Sequence, residues 1–573
     1  MTINLRRLGA LGLVLASVAA VGIPSVIRRA TADAAHRPES SSTLVASIRA
    51  EPRSFNRYVA RDLSTAVVTY LIHDALVRVD RVTNQLEPAL AERWELLPDG
   101  NTYRLRLRPH VRFSDGAPFS SADVVFTFKA IYDAGVGSVL ADTLQVRGQP
   151  LDVAAEDPLT VTVRFPSPFG PGLRMLDGVP IYPRHRLEAA LSAGTFRSAW
   201  GAAAAPADLA GLGPFVLCRY DPGQRLVFDR NPNFWQAPAA PGVEHVVISV
   251  VPDQDAELLQ LGAGTIDLTQ SELRPADVPA LKAAAGAGRV IVTDAGIGLD
   301  GDLLWVNLRP TQSADSRAPW LRHTDFRRAV AHSVDRRAFV ETVYFGEAVP
   351  ADSIISPGNR DWHVTAPSPL YDPAAASRLL AGLGLAARDA DGVLHDRGGR
   401  PARLSLLTQK GNTSLERGAA VIRDSLHAIG IQVDVVALEA GALVDRVMRG
   451  DYDAAYFSLL TTDTDPALNL DFWLSSGGAH LWNPEQRTAA TAWEAEIDAL
   501  MDKVATTLDR DRRRNLFAQV QQIMAREVPA LCFAFPRHRL AVNSRVAGAT
   551  PSNLRPPILW NPAAIRLQPN HSP

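Results

Sequence analysis

Between residues 415 and 460 the sequence changes its period repeatedly. "LERGAAVIRDSLHAIG" carries apolar residues at helical spacing and closes on Gly430, and "IQVDVVAL" reads as a strand. "GALVDRVMRG" is helical again, and "DYDAAYFSLL" is a further strand. Helices that alternate with short apolar strands demand parallel pairing, so this part of the chain is expected to be α/β. At 573 residues the chain exceeds one ordinary domain, and roughly two to four are expected. Its 46% apolar and 21% charged residues suffice for full cores in a soluble globular protein. Pro- and Ala-rich stretches near 200–210 and 236–242 read as exposed connections.

The first residues bear on the compartment. Arg6 and Arg7 precede an apolar run from Leu8 to Ile27, and Ala30-Thr31-Ala32 offers an A-x-A cleavage site. Residues 1–32 are therefore expected to be a cleavable secretory signal; an uncleaved membrane anchor is the alternative. Twin-arginine export fits the following residues poorly. Removing 1–32 leaves 55 basic against 61 acidic residues, a net charge of −6. No cysteine lies near the cleavage site, so a lipid-anchored mature N-terminus is not expected. Cys218 and Cys532 are the only cysteines. An exported chain permits them to pair, and two separate buried thiols are the other reading.

The stretch "GNTYRLRLRPHVRFSDGAPFSSADVVF" poses a question of charge. Tyr103, Leu105 and Leu107 alternate with Arg104, Arg106 and Arg108, which is a period-2 strand with one solvated face. No aromatic residues interleave with the arginines to stack bases, and Glu92, Glu95, Asp99 and Asp115 lie close by. With 59 basic against 61 acidic residues overall, no field exists to draw a polyanion. Nucleic acid is not expected as a partner. Downstream, Ser120 and Asp123 are set as a capping box before an apolar helical stripe. "AVVTYLIHDALVRVD" reads as a helix upstream of the strand.

Enzyme motifs are wanting. "GIGLDG" matches G-x-G-x-x-G at Gly296, Gly298 and Gly301, but the strand-like "DLLWVNLRP" follows where a helix is needed. No H-E-x-x-H, G-x-S-x-G or P-loop occurs, and the thirteen histidines are scattered. His332 on "RRAVAHSVDRRAF" reads as surface or core filling. No catalysis, metal or cofactor is expected. One cluster stands apart: "SLLTTDTDPALNLDFWLSSGGAHLWNP" gathers Asp463, Asp465, Asp471, Trp473 and Trp482 directly after an apolar strand. It is either a loop with partly buried indoles or a carboxylate placed to meet a ligand cation beside large apolar walls.

The chain resembles the solute-binding proteins of peptide- and nickel-type ABC importers, the family 5 extracellular solute-binding proteins. The likeness runs in order through "EPRSFN", "LEPALAERWELLPDGNTYRLRLRPHVRFSDGAPFSSADVVFTF" and "GLGPFVLCRYDPGQRLVFDRNPNFW". It continues through "LLQLGAGTID", "DFRRAVAHSVDRRAFVETVYFGEAVPADSIISP", "YDPAAASRLLAGLGL" and "GDYDAAYFS". The resemblance implies an α/β, two-lobed periplasmic binding protein fold (class II, large three-domain type) with the ligand cleft between lobes. Lobe I would comprise 43–77, 209–300 and 531–573, with 78–208 as its accessory domain carrying the arginine strand; lobe II would be 301–530.

It further implies an extended peptide bound through its backbone, delivered in the periplasm to ABC permease subunits of the inner membrane by a monomer without catalysis. An aspartate after a strand in the last third would pair with the peptide amine, and Asp463 or Asp465 matches that position. The early cleft segment would correspond to Arg61, Asp62, Leu63 and Ser64. Trp473 and Trp305 are further candidates for the cleft wall, with core packing the other reading. Alternatives within the resemblance are a nickel complex, an oligosaccharide or another small solute. An exported enzyme and a sensor on this fold are the rivals outside it. The insertion-like "RPTQSADSRAPWLRHT", residues 309–324, has no functional account.

Overall fold

The computed structural model describes residues 42–236, 242–284, 290–310, 319–366, 369–459 and 463–568. The expected export signal, residues 1–32, lies outside them, as do residues 311–318 of the insertion.

Two lobes are each built on one sheet. In the first, Thr43–Ile48 runs parallel to both of its neighbours, His245–Val250 and Leu268–Thr269. All six of its residues are buried, as a parallel strand covered on both faces must be. The sheet has eight strands, extending through Arg225–Arg230 to Phe215–Asp221 on one side and through Ala534–Asn543 to Val290–Ile297 on the other. Burial in such a strand favours answered polar groups, and Thr43 Oγ1 is an exception, with no partner among the described residues. Ser47 Oγ donates to Glu257 Oε1 at 2.5 Å, and the Val45 amide donates to Asp267 Oδ2 at 2.9 Å. Asp267 in turn accepts from Arg545 Nε at 2.6 Å, tying the first strand to the far end of the chain.

The second sheet runs Gln432–Leu438, Arg403–Gln409, Ala454–Ser458, Asp302–Val306, Ala530–Cys532. Its first three strands are parallel, joined by helices Thr413–Ala428 and Ala440–Met448, as the alternation of periods predicts. Asn412 caps the longer helix by accepting from the Leu415 amide, and Gly430 adopts φ +94° just past its end.

The arginine strand, Thr102–Leu107, lies inside a third, four-stranded antiparallel sheet. Leu105 and Leu107 are buried, while Arg104 reaches Glu95 at 3.1 Å and Glu156 at 3.0 Å on the solvated face. Arg108 lays its guanidinium 4.3 Å from the centre of the Trp235 ring. These arginines are scaffold. The capping box at Ser120 and Asp123 opens helix Ser121–Tyr132.

Two expectations need correction. The helix expected over 66–80 spans Leu63–Ile72; it stops at His73, and Val77–Val79 instead pairs with Leu86–Pro88 as a strand. Asp62 fixes the start by capping Thr65, and the β-branched valines favour the pleated pairing once the helix has ended. Cys218 and Cys532 are both unpaired, one exposed and one buried, so neither the disulfide nor two buried thiols describes them. The dinucleotide-like match, Gly296–Gly301, ends strand Val290–Ile297 and joins it through Gly298–Gly301 directly to strand Asp302–Val306, the strand that the sequence places there in lieu of a pyrophosphate-holding helix.

Among the described residues the chain passes between the two main sheets at that glycine-rich joint and again at Phe533, between Ala530–Cys532 and Ala534–Asn543, and Ala348–Pro350 pairs with the latter strand. The two crossings pack closely. A Cβ at Gly301 would sit 2.8 Å from Cys532 Sγ and 2.9 Å from the Phe535 ring. Gly301→Ala is therefore expected to lose ~1–3 kcal/mol through overpacking, read as a lower melting temperature with the fold retained. Among the described residues, no helix is long and apolar enough to cross a membrane.

Candidate functional site

The lobes enclose a cavity of about 1270 Å³. Its first wall is set by the helix Leu63–Ile72. Asp62 caps that helix, accepting from the Thr65 amide at 2.9 Å and Thr65 Oγ1 at 2.8 Å. This holds Arg61 and Leu63 on the cavity wall. Asp62 itself faces its own helix, and Ser64 turns away to donate to the Ala50 carbonyl at 2.5 Å. Of the early segment, only Arg61 and Leu63 reach the cavity.

The opposite wall follows strand Ala454–Ser458. Asp463 lines the cavity, and its Oδ1 accepts from Arg174 Nε at 2.7 Å and from the Asp465 amide at 2.8 Å. Arg174 comes from the short turn Gly172–Leu176, 289 residues earlier in the sequence. Its remaining donors reach the Asn84 carbonyl at 2.9 Å, Asn84 Oδ1 at 2.6 Å and Thr464 Oγ1 at 2.9 Å. Burial pushes the Asp463 carboxyl above its ordinary range, against the pull of the Arg174 charge.

Asp465 has a different task. It caps the turn Pro466–Leu468 and forms a buried two-pronged pair with Arg513, at 2.9 Å and 2.5 Å. It is absent from the cavity wall. The two candidate carboxylates are thus separated: one lines the cavity, one braces the loop behind it.

The tryptophans divide in the same way. Trp473 lines the cavity and packs edge-on against Phe472 and Phe517, with ring centres 4.6 Å and 5.0 Å away. Trp305 is fully buried, stacked between Phe457 and Trp482 at 5.9 Å and 6.1 Å. It is core.

Sequence reasoning missed Arg57, Arg81 and Arg174, which also line the cavity. Arg81 is answered by Asp177 at 2.8 Å; burial opposes its charge, but Asp177 and Tyr70 hold its pKa above the ordinary value. Arg147, also on the wall, pairs with Asp502. The one signal available for Arg57 was its place four residues before Arg61 in the loop that feeds the helix. Among the described residues, no three His, Cys, Asp or Glu side chains gather as they would around a metal ion.

Comparison with known proteins places this geometry. Residues 85–480 match the family model described as bacterial extracellular solute-binding proteins, family 5 Middle. A probable ABC transporter-binding protein of Deinococcus radiodurans is 25% identical over 525 residues, covering 87% of each chain. A probable D,D-dipeptide-binding periplasmic protein of Escherichia coli K12, DdpA, is 26% identical over 522 residues, covering 90% of this chain and 92% of the relative. The solved oligopeptide-binding protein AppA of Bacillus subtilis, in complex with a nonapeptide, superposes with a TM-score of 0.70 at 22% identity. That match covers 92% of this chain and 99% of that one.

Proposed function

Because this chain belongs to the family 5 bacterial extracellular solute-binding proteins, we propose that it is the substrate-binding component of an ABC importer and that its ligand is an extended peptide. The observation that carries the reading is the cavity of about 1270 Å³ lined by residues of both lobes. A space of that size accommodates several residues of extended chain. Relatives whose names specify peptides support the ligand class.

In this reading Arg61, Leu63, Asp463 and Trp473 face the ligand, whose backbone is held as an added strand while its side chains take up the roomy remainder. Ligand binding favours the closed pairing of the lobes, and the closed form is what the permease subunits of the inner membrane recognise. The protein acts as a monomer in the periplasm after loss of residues 1–32, and it catalyses no reaction. The segments 43–77, 209–300 and 531–573 make lobe I, 78–208 its accessory domain and 301–530 lobe II; the two main sheets support that division except at Ala348–Pro350, which pairs with Ala534–Asn543 of the lobe I sheet.

Native mass spectrometry of the protein purified without refolding, followed by denaturation, tests the ligand class. A ladder of released peptides is expected, together with a rise in melting temperature when peptides are added back. Bound sugar or metal complex in place of peptides would overturn the peptide reading and leave the importer role standing.

A further inference from the structure

The charges on the cavity wall are unevenly answered. Asp463, the buried carboxylate best placed to meet a ligand amine, already has a guanidinium as its partner. Arg174 cannot swing aside without also breaking its bonds to Asn84 and Thr464. Arg81 and Arg147 are likewise matched to carboxylates.

Arg57 is not. It is half-buried on the wall, and among the described residues no carboxylate stands within ion-pair distance of it. Its Nη1 donates to the Ala60 carbonyl at 2.5 Å, which leaves further N–H donors of the fork available. The carboxylate whose charge bears on it is Asp62, whose two oxygens are engaged by Thr65 at the helix cap. Arg61 stands beside it, also without an ion pair among the described residues, its Nη2 directed to the Val139 carbonyl. Two acids on the wall, Asp142 and Asp471, also lack an ion pair among the described residues, but both are exposed. Burial draws the Arg57 pKa below its ordinary value, the direction expected of a guanidinium that lacks a counterion. A planar fork in this situation matches a carboxylate in two-pronged fashion, and closure of the lobes would strengthen the pair by excluding water.

We propose that the cavity anchors its ligand by an anionic end, the terminal carboxylate of a peptide held by Arg57 with Arg61 beside it, and that a free amine is not required. This rests on the peptide reading above and adds which end of the peptide is recognised.

The test uses the whole protein and one pool of short synthetic peptides of mixed sequence in three forms: both ends free, N-acetylated, and C-amidated. Retention is read by mass spectrometry and affinity by calorimetry on the best-retained sequence. Acetylation should change affinity by less than about threefold, whereas amidation should weaken it by about tenfold or more. Arg57→Gln should bind the free and amidated forms alike, and Arg57→Lys should restore part of the difference, which separates loss of charge from loss of fold. Binding that acetylation abolishes and amidation leaves intact would overturn the proposal. Should no form bind, the peptide reading itself fails, and the anion grip is read with succinate alone. A melting-temperature rise in the native protein that Arg57→Gln lacks upholds the grip; equal rises in both sink it.

Discussion

Arg513→Ala is expected to lose ~3–5 kcal/mol of unfolding free energy, because it strands a carboxylate in the interior. Arg513 and Asp465 have side chains only 3% and 6% exposed. Their two N–H···O contacts are joined by a bond from Arg513 Nε to the Val504 carbonyl at 2.8 Å, and the guanidinium lies 4.9 Å from the Trp362 ring centre. Alanine removes all of these at once and leaves Asp465 with its helix-capping bond alone. Removing both charges together, as Arg513→Met with Asp465→Asn, should lose less than the two single changes added, since no charge then remains buried by itself. Urea unfolding of the four proteins measures the cycle. A loss below about 1 kcal/mol for Arg513→Ala would mean that water reaches the pair, as it does in exposed ion pairs.

The second large effect depends on pH. His73 closes the helix that forms the first cavity wall, and it is enclosed by Tyr182 and Trp200 with ring centres 4.8 Å and 5.7 Å away. Among the described residues neither of its ring nitrogens has a hydrogen-bond partner, and burial pulls its pKa down to about 3. The unfolded chain accepts a proton near pH 6.5 that the folded chain refuses. Stability is therefore complete above about pH 6.5 and is lost progressively as the pH falls from there toward 3, by about 2 kcal/mol at pH 5. His73→Phe removes the titrating group and two unsatisfied nitrogens while keeping the aromatic contacts. It should be at least as stable as the native protein at pH 7, and it should lose about 2 kcal/mol less between pH 7 and pH 5. Parallel stability curves for the two proteins would show that the imidazole is protonated in place.

Where neighbouring residues decide the structure, the sequence was legible. The parallel strands of the second sheet follow from periodicity over residues 403–458, and the capping box at Ser120 and Asp123 announces its helix. The solvated arginine face follows from the alternation over 102–107. Distant partners decided the remainder. Asp463 and Asp465 stand two residues apart in one loop, and nothing local distinguishes them. What separates them is Arg174, 289 residues earlier, and Arg513, 48 residues later. Trp305 and Trp473 look alike as sequence, yet the rings that enclose Trp305 come from the strand and loop around Phe457 and Trp482. The helix that ends at His73 ran on in the apolar pattern, because valines suit a buried strand and a buried helix equally until a pairing partner is known.

The joint between the lobes has a mechanical consequence. Val290–Ile297 pairs antiparallel with Ala534–Asn543 on one side of the crossing, and Asp302–Val306 pairs antiparallel with Ala530–Cys532 on the other. The Gly298 amide bonds the Pro536 carbonyl at 2.8 Å between them. Ala348–Pro350 pairs with Ala534–Pro536 and the Ala351 amide bonds the Phe533 carbonyl at 3.0 Å, so the crossings and this third strand form a three-ply ribbon. Such a ribbon flexes across its flat face, but one ply cannot slide past the next without exchanging the buried and exposed faces of every strand it belongs to. Rocking of one lobe on the other is then softer than sliding, which the paired register opposes. Closure by rocking keeps that register, so the same residues meet across a ligand each time.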